Sequence, residues 1–281
     1  MELVLHTAQS YEPNFGYAFQ ISASSCDTAS STSSIGNSGS AEEAGHLAIF
    51  SFIVPTGRTS EQHSLRATLA TSSYFRDGLL LNSKEKCALF PVVHFTENHE
   101  TLQHQLQQGQ LLDVHSLGSD FILHQGLYRE LKSIIPETEF LSLLPHHHVA
   151  YMLIGFKNLE RSLSQVMVDT WKDWTGARHI YFNLPDELGL TRISFYHREA
   201  PDNLSLFMYI VLVECRGITS KEHQVRLIDF AQRMRVERIT GCVSVYSSEP
   251  LSGSLAATPH YIASDWTGLH DAYTSPNCKY G

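Results

Sequence analysis

Basic residues are scarce and nowhere clustered: 20 Lys and Arg stand against 29 Asp and Glu, a formal net charge of −9. With no basic surplus there are no counterions to release from a phosphate backbone, which argues against nucleic acid as a partner. Cysteine is sparse too. Cys26, Cys87, Cys215, Cys242 and Cys278 lie far apart, so zinc-ribbon and thioredoxin-like spacings are absent. An odd, scattered set fits a reduced compartment better than a disulfide framework. No apolar run approaches the roughly 20 residues of a membrane-spanning helix. "MELVLHTAQS" lacks the basic and continuous apolar regions of a signal peptide. These absences predict a cytoplasmic protein, or one exported by a non-classical route. Several catalytic signatures are missing as well: the phosphate loop, Gly-x-Gly-x-x-Gly, the nucleophile elbow and His-Glu-x-x-His.

Histidine, by contrast, is abundant. There are 16, so net charge should rise steeply as imidazoles protonate around pH 6.5. Residues 22–45, "SASSCDTASSTSSIGNSGSAEEAG", are almost wholly Ser, Thr, Gly, Ala and acid. Such a composition cannot offset its ordering entropy by burial and reads as a flexible linker. It separates residues 1–21, with two short strand candidates, from a main body whose halves are read as 46–144 and 145–281.

In the first half, "HLAIFSFIVP" and "KCALFPVVHF" are strand candidates, with helices expected at about 59–73 and over "TENHETLQHQLQQGQ". Leu123, Leu127, Leu131 and Ile134 stand at helical spacing, predicting a helix from Asp120 to Ile135 that Pro136 stops. In the second half, "VAYMLIGF" reads as a strand and "NLERSLSQVMVDTWKDW" as an amphipathic helix ended by Gly176. "ARHIYFNL", "LTRISFYHR" and "LSLFMYIVLVE" follow as strands. Thr219-Ser220-Lys221-Glu222 then opens a helix as a capping box, and "RITGCVSVYS" closes as a strand. The expected fold class is α+β: a mostly antiparallel sheet with packed helices, in a ferredoxin-like βαβββαβ arrangement over the C-terminal half. "GHLAIFSFIV" and "HHVAYMLIGF" echo each other, each with a histidine just before an apolar strand.

The triple histidine His146, His147 and His148 is the main chemical cue. Strand alternation puts His146 and His148 on one face, so at most two of the three converge on one metal. A carboxylate is then needed for a three-ligand site with an open position. Glu214, charged after seven mostly apolar positions, supplies one, and His179 and His197 lie on the segments between. This predicts His148, His179 and Glu214 as ligands to a divalent zinc, iron or manganese, with His146 and His197 as catalytic bases.

"HHVAYMLIGFKNLERSL" in this order resembles the vicinal oxygen chelate family, which implies metal ligands on the first and last strands of a module. "LIDFAQRMRVERITGCVSVYS" is similar to the helix-to-strand segment of blue-light-sensing flavin domains. Leu212, Met234 and Gly253 replace that family's tyrosine, asparagine and glutamine, which removes its flavin chemistry. The expected function is a small-molecule-binding protein or enzyme with a His/Glu-lined, metal-dependent cavity. The alternative is a non-catalytic protein-interaction module, an effector or scaffold subunit, binding a protein partner and compatible with an oligomer.

Overall fold

Eight strands carry the architecture in the computed structural model. It describes residues 46–250 except 57–61, 73, 76–77, 87, 98–99, 111, 137–148, 158–162, 202–205 and 238–240. The expected N-terminal strands and linker lie outside the described residues, which all fall within one of the chain's two compact units, 44–259.

The strands are β1 (Leu47–Pro55), β2 (Leu79–Ser83), β3 (Val92–Thr96), β4 (Phe121–Ile134), β5 (Ala150–Phe156), β6 (Leu190–Ala200), β7 (Tyr209–Cys215) and β8 (Cys242–Pro250). They close into a barrel in the order β1-β3-β2-β8-β5-β7-β6-β4, with every neighbouring pair antiparallel. Closure leaves no sheet edge, and eight strands enclose a space that side chains can fill. The helices α1 (Gln62–Thr71), α2 (Glu100–Gln107), α3 (Gln165–Asp169), α4 (Trp171–Trp174), α5 (Ala177–Asn183) and α6 (Lys221–Glu237) connect the strands.

The closed barrel corrects the expected α+β sheet. Two segments exchange roles. Residues 121–134 form β4 rather than a helix, because a spacing of four fits both periods. Leu123, Leu127 and Leu131 share one face of a strand as readily as one face of a helix. The strand is buried on both sides, with Tyr128 inside the barrel and Leu127 packed outside on Leu106 of α2, so no alternation marks it. "ARHIYFN" is helix α5 rather than a strand, burying Ala177 and Ile180 at i and i+3. Gly176, with φ of 78°, ends the helix before it as expected, following the C-cap Thr175 of α4 in the left-handed conformation, and α5 starts directly after it.

The halves repeat one plan. In ring order, β4-β1-β3-β2 is followed by β8-β5-β7-β6, so a half-turn about the barrel axis carries each strand onto one of the same direction. Register fixes the counterparts. Phe50 pairs with Phe95 and Gly126, and Leu153 with Leu212 and Ser244. Counting outward, Phe90 matches Phe207, Tyr128 matches Tyr246, and Glu97 matches Glu214. The histidine echo in the sequence is one residue out of this register, and a one-residue slip exchanges the two faces of a strand.

Inside, Phe50, Phe52, Phe90, Phe95, Tyr128, Leu153, Tyr196, Phe207, Leu212 and Tyr246 belong to one apolar cluster. The inner face of β5 must be glycine at one position. A Cβ on Gly155 would lie 2.4 Å from the Phe207 ring. Outside, Leu65 and Leu69 of α1 pack on Ile53 and Leu123. In the second half, Trp171 stacks on Phe195 at 5.2 Å and Trp174 meets Tyr209 at 5.6 Å.

Candidate functional site

The two ends of the barrel are built differently. At one end, Phe90 and Phe207 cross edge-to-face at 5.5 Å and fill the opening. Tyr128 Oη donates to the Phe207 carbonyl at 2.8 Å, and Tyr246 Oη donates to the Phe90 carbonyl at 2.9 Å. Arg198 Nη1 donates to the carbonyls of Leu206 and Phe207. This end is sealed by aromatic rings whose backbone is tied down.

At the other end the inward positions are polar. Glu130 on β4 and Glu214 on β7 continue the inner faces of Tyr128 and Leu212 two residues further along, and Arg192 on β6 continues that of Tyr196 past Ser194, four residues away. Arg192 Nη2 lies 2.7 Å from both oxygens of Glu130, whose side chain is only 7% exposed. Glu214 Oε1 accepts from Arg216 Nε at 2.6 Å and Thr191 Oγ1 at 3.0 Å, and its Oε2 accepts from Tyr151 Oη at 3.2 Å. Tyr196 Oη donates to Glu97 Oε1 at 3.3 Å. A register shift between Leu190 and Arg192 supplies the geometry. The extra residue, Thr191, lets its hydroxyl reach Glu214 while Arg192 turns inward, a common use of a β-bulge.

The tyrosines are fixed as donors. Burial, reinforced by the charge of Glu214, pushes the Tyr151 phenol far above its ordinary range. Burial also raises Tyr196, helped by Glu97 and Glu130. Arg192 Nε is buried without a hydrogen-bond partner among the described residues. A buried N–H of that kind ordinarily finds an acceptor. The mouth thus offers carboxylate acceptors, one unused donor and aromatic walls.

Of the residues expected from sequence that are described, only Glu214 is in this mouth. His146 and His148 lie outside the described residues. His197 follows Tyr196 and so faces outward, its ring 5.3 Å from that of Tyr209 and its Nδ1 3.7 Å from Glu199 Oε1. Burial holds its pKa below the ordinary histidine value, with Glu199 opposing. His179 sits on α5 against Phe230 of α6, rings 5.9 Å apart, with Nδ1 3.1 Å from Asn183 Nδ2. His197 is also five residues from Arg192, the register partner of Glu214, which is about 16 Å along a strand. The barrel wall therefore separates Glu214 from both histidines. Among the described residues no three His, Cys, Asp or Glu side chains are grouped to hold a metal ion.

Sequence reasoning missed Glu97, Glu130, Tyr151, Arg192 and Tyr196. One signal was present: Arg192, Ser194 and Tyr196 alternate on one face of "LTRISFYHR". Glu130 was hidden by the helical reading of its segment.

A family model described as "Domain of unknown function (DUF7153)" matches residues 75–248. The chain belongs to this family. The DUF7153 match ends within β8 and contains all the polar mouth residues named above. No curated protein matches the sequence. A solved structure described as "Crystal structure study of anthrone oxidase-like protein" is similar at 9% identity and a TM-score of 0.43, over 77% of this chain and 98% of that one. No helix among the described residues is long and apolar enough to cross a membrane.

Proposed function

We propose that this chain binds a small organic molecule at the polar mouth of its barrel. One contrast carries the reading. The same fold closes its opposite end with Phe90 and Phe207, yet at this end it turns Glu130, Arg192 and Glu214 inward. Taking such groups out of water is costly, and apolar residues would close a barrel more simply.

The chemistry of the mouth restricts the ligand. Glu97, Glu130 and Glu214 outnumber Arg192 and Arg216, which disfavours an anion. The carboxylates accept from hydroxyl or amine groups, and Arg192 Nε donates to a ligand oxygen. An uncharged or cationic hydroxylated molecule with an apolar portion, set against Tyr151 and Tyr196, suits this arrangement.

The test is a ligand-observed NMR screen of phenols, polyols and hydroxylated amines against the full chain. Hits should weaken at least tenfold in Glu214→Gln and Arg192→Met, variants whose fold is checked by circular dichroism. Hits that bind both variants as well as the parent chain would overturn the reading, and so would a screen without hits.

A further inference from the structure

A second feature lies outside the barrel. Helix α5 buries Ala177 and Ile180, and its remaining apolar residues face out, with Tyr181 42% and Phe182 73% exposed. The two rings meet edge-to-face at 5.1 Å and 84°. With Ile134 at the end of β4, they line an open groove of about 420 Å³, and Lys172 and Arg178 are the other described residues that line it. Large aromatics left in solvent at this density call for an occupant.

Charge selects among occupants. The whole chain carries a net −9, yet the groove is flanked by two cations. Arg178 Nε lies 2.9 Å from Asp173 Oδ1 in an exposed pair, which solvent screens strongly. Lys172 makes no ion pair with a described residue. Among the described residues the local balance is therefore positive, beside an apolar floor. A cationic or purely apolar occupant would leave the two basic heads unused.

We propose that the groove between α4 and α5 binds an amphipathic carboxylate. Its hydrocarbon or aryl part would lie on Ile134, Tyr181 and Phe182, and its carboxylate between Lys172 and Arg178. This second site is independent of the barrel mouth, whose carboxylates disfavour such a ligand.

The experiment titrates the full chain calorimetrically with dodecanoate, dodecanol and dodecyltrimethylammonium, each below its micellar concentration. Dodecanoate should bind saturably at one site, and the other two at least tenfold more weakly. Lys172→Glu and Phe182→Ser should each weaken dodecanoate about tenfold, and Lys172→Arg should retain it. Glu214→Gln should leave it unchanged, which separates this site from the mouth. All four substitutions are checked for native circular dichroism. Equal binding of the three amphiphiles, an unaffected Lys172→Glu, or no saturable dodecanoate binding would overturn the proposal. Adsorption to phosphatidylserine vesicles without dodecanoate binding would point instead to a membrane surface, and equally overturn it.

Discussion

The hydroxyls of Tyr128 and Tyr246 make the same hydrogen bond from opposite walls of the barrel. Each donates to the carbonyl of a plugging phenylalanine in the other half, Phe207 at 2.8 Å and Phe90 at 2.9 Å. Each half of the chain thereby ties down the aromatic cap supplied by its counterpart. Both hydroxyls are buried, and burial raises both phenols well above their ordinary range, so they remain protonated donors.

Removing either hydroxyl leaves a carbonyl without that donor. Tyr128→Phe and Tyr246→Phe should each destabilise the chain by about 1–2 kcal/mol in urea denaturation, with the smaller loss in Tyr128→Phe because the Phe207 carbonyl keeps Arg198 Nη1 as a donor. A larger loss in Tyr128→Phe than in Tyr246→Phe would show that Arg198 does not back up the first latch.

Gly155 is fixed by Phe207 rather than by backbone conformation. Gly155→Ala should cost about 1–3 kcal/mol, the range for overpacking a filled interior. Adding Phe207→Leu should recover part of that loss by vacating the ring position. A Gly155→Ala chain with unchanged melting temperature would mean that the ring has room to move.

Arg192 and Glu130 form a pair in which the carboxylate is the buried member. Arg192→Met, which strands that carboxylate, should cost about 2–3 kcal/mol. The double variant Arg192→Met with Glu130→Met should be more stable than the single one. If the double variant is the worse of the two, the pair itself, rather than the stranded charge, sets the cost.

His197 gives a sign for pH dependence. Its folded pKa lies below the unfolded value because burial disfavours the imidazolium, while Glu199 opposes and Arg198 and Arg129 assist. The unfolded chain therefore binds more protons in this range, and stability rises with pH. The contribution is complete above the unfolded pKa of about 6.5 and fades as pH falls from there through the folded pKa. His197→Gln should flatten the stability profile on the acid side of neutrality, leaving the effect of His124, also lowered by burial. An unchanged profile would assign the slope to other groups.

Much of the element order was legible in the sequence, but the closure was not. The apolar runs at β1, β5 and β7 and the cap before α6 point to elements that the structure contains, with Ser220 Oγ accepting from the His223 N–H at 3.2 Å. Closure depends on which strands become neighbours, and alternation is silent on that. It is weakest where strands are covered on both faces, as in β4. The site was hidden for a related reason. Glu97 is one residue past its strand, Glu130 sat in a segment with helical spacing, and Arg192 turns inward through a bulge. The histidines drew the reading instead; His179 and His197 are on the outside of the wall, and His146 and His148 lie outside the described residues. Glu214 stood out because a charge ended an apolar strand, and that cue did point into the barrel.

The central claim is that ligands enter at the mouth marked by Tyr151 and Tyr196. The most direct measurement is NMR of the full chain labelled with ¹³C at the tyrosine rings, titrated with a hit from the hydroxylated-compound screen. The account predicts shifts at Tyr151 and Tyr196, with Tyr128 and Tyr246 at the plugged end and Tyr181 on α5 unmoved. Shifts confined to Tyr181, or to the plugged end, would contradict it.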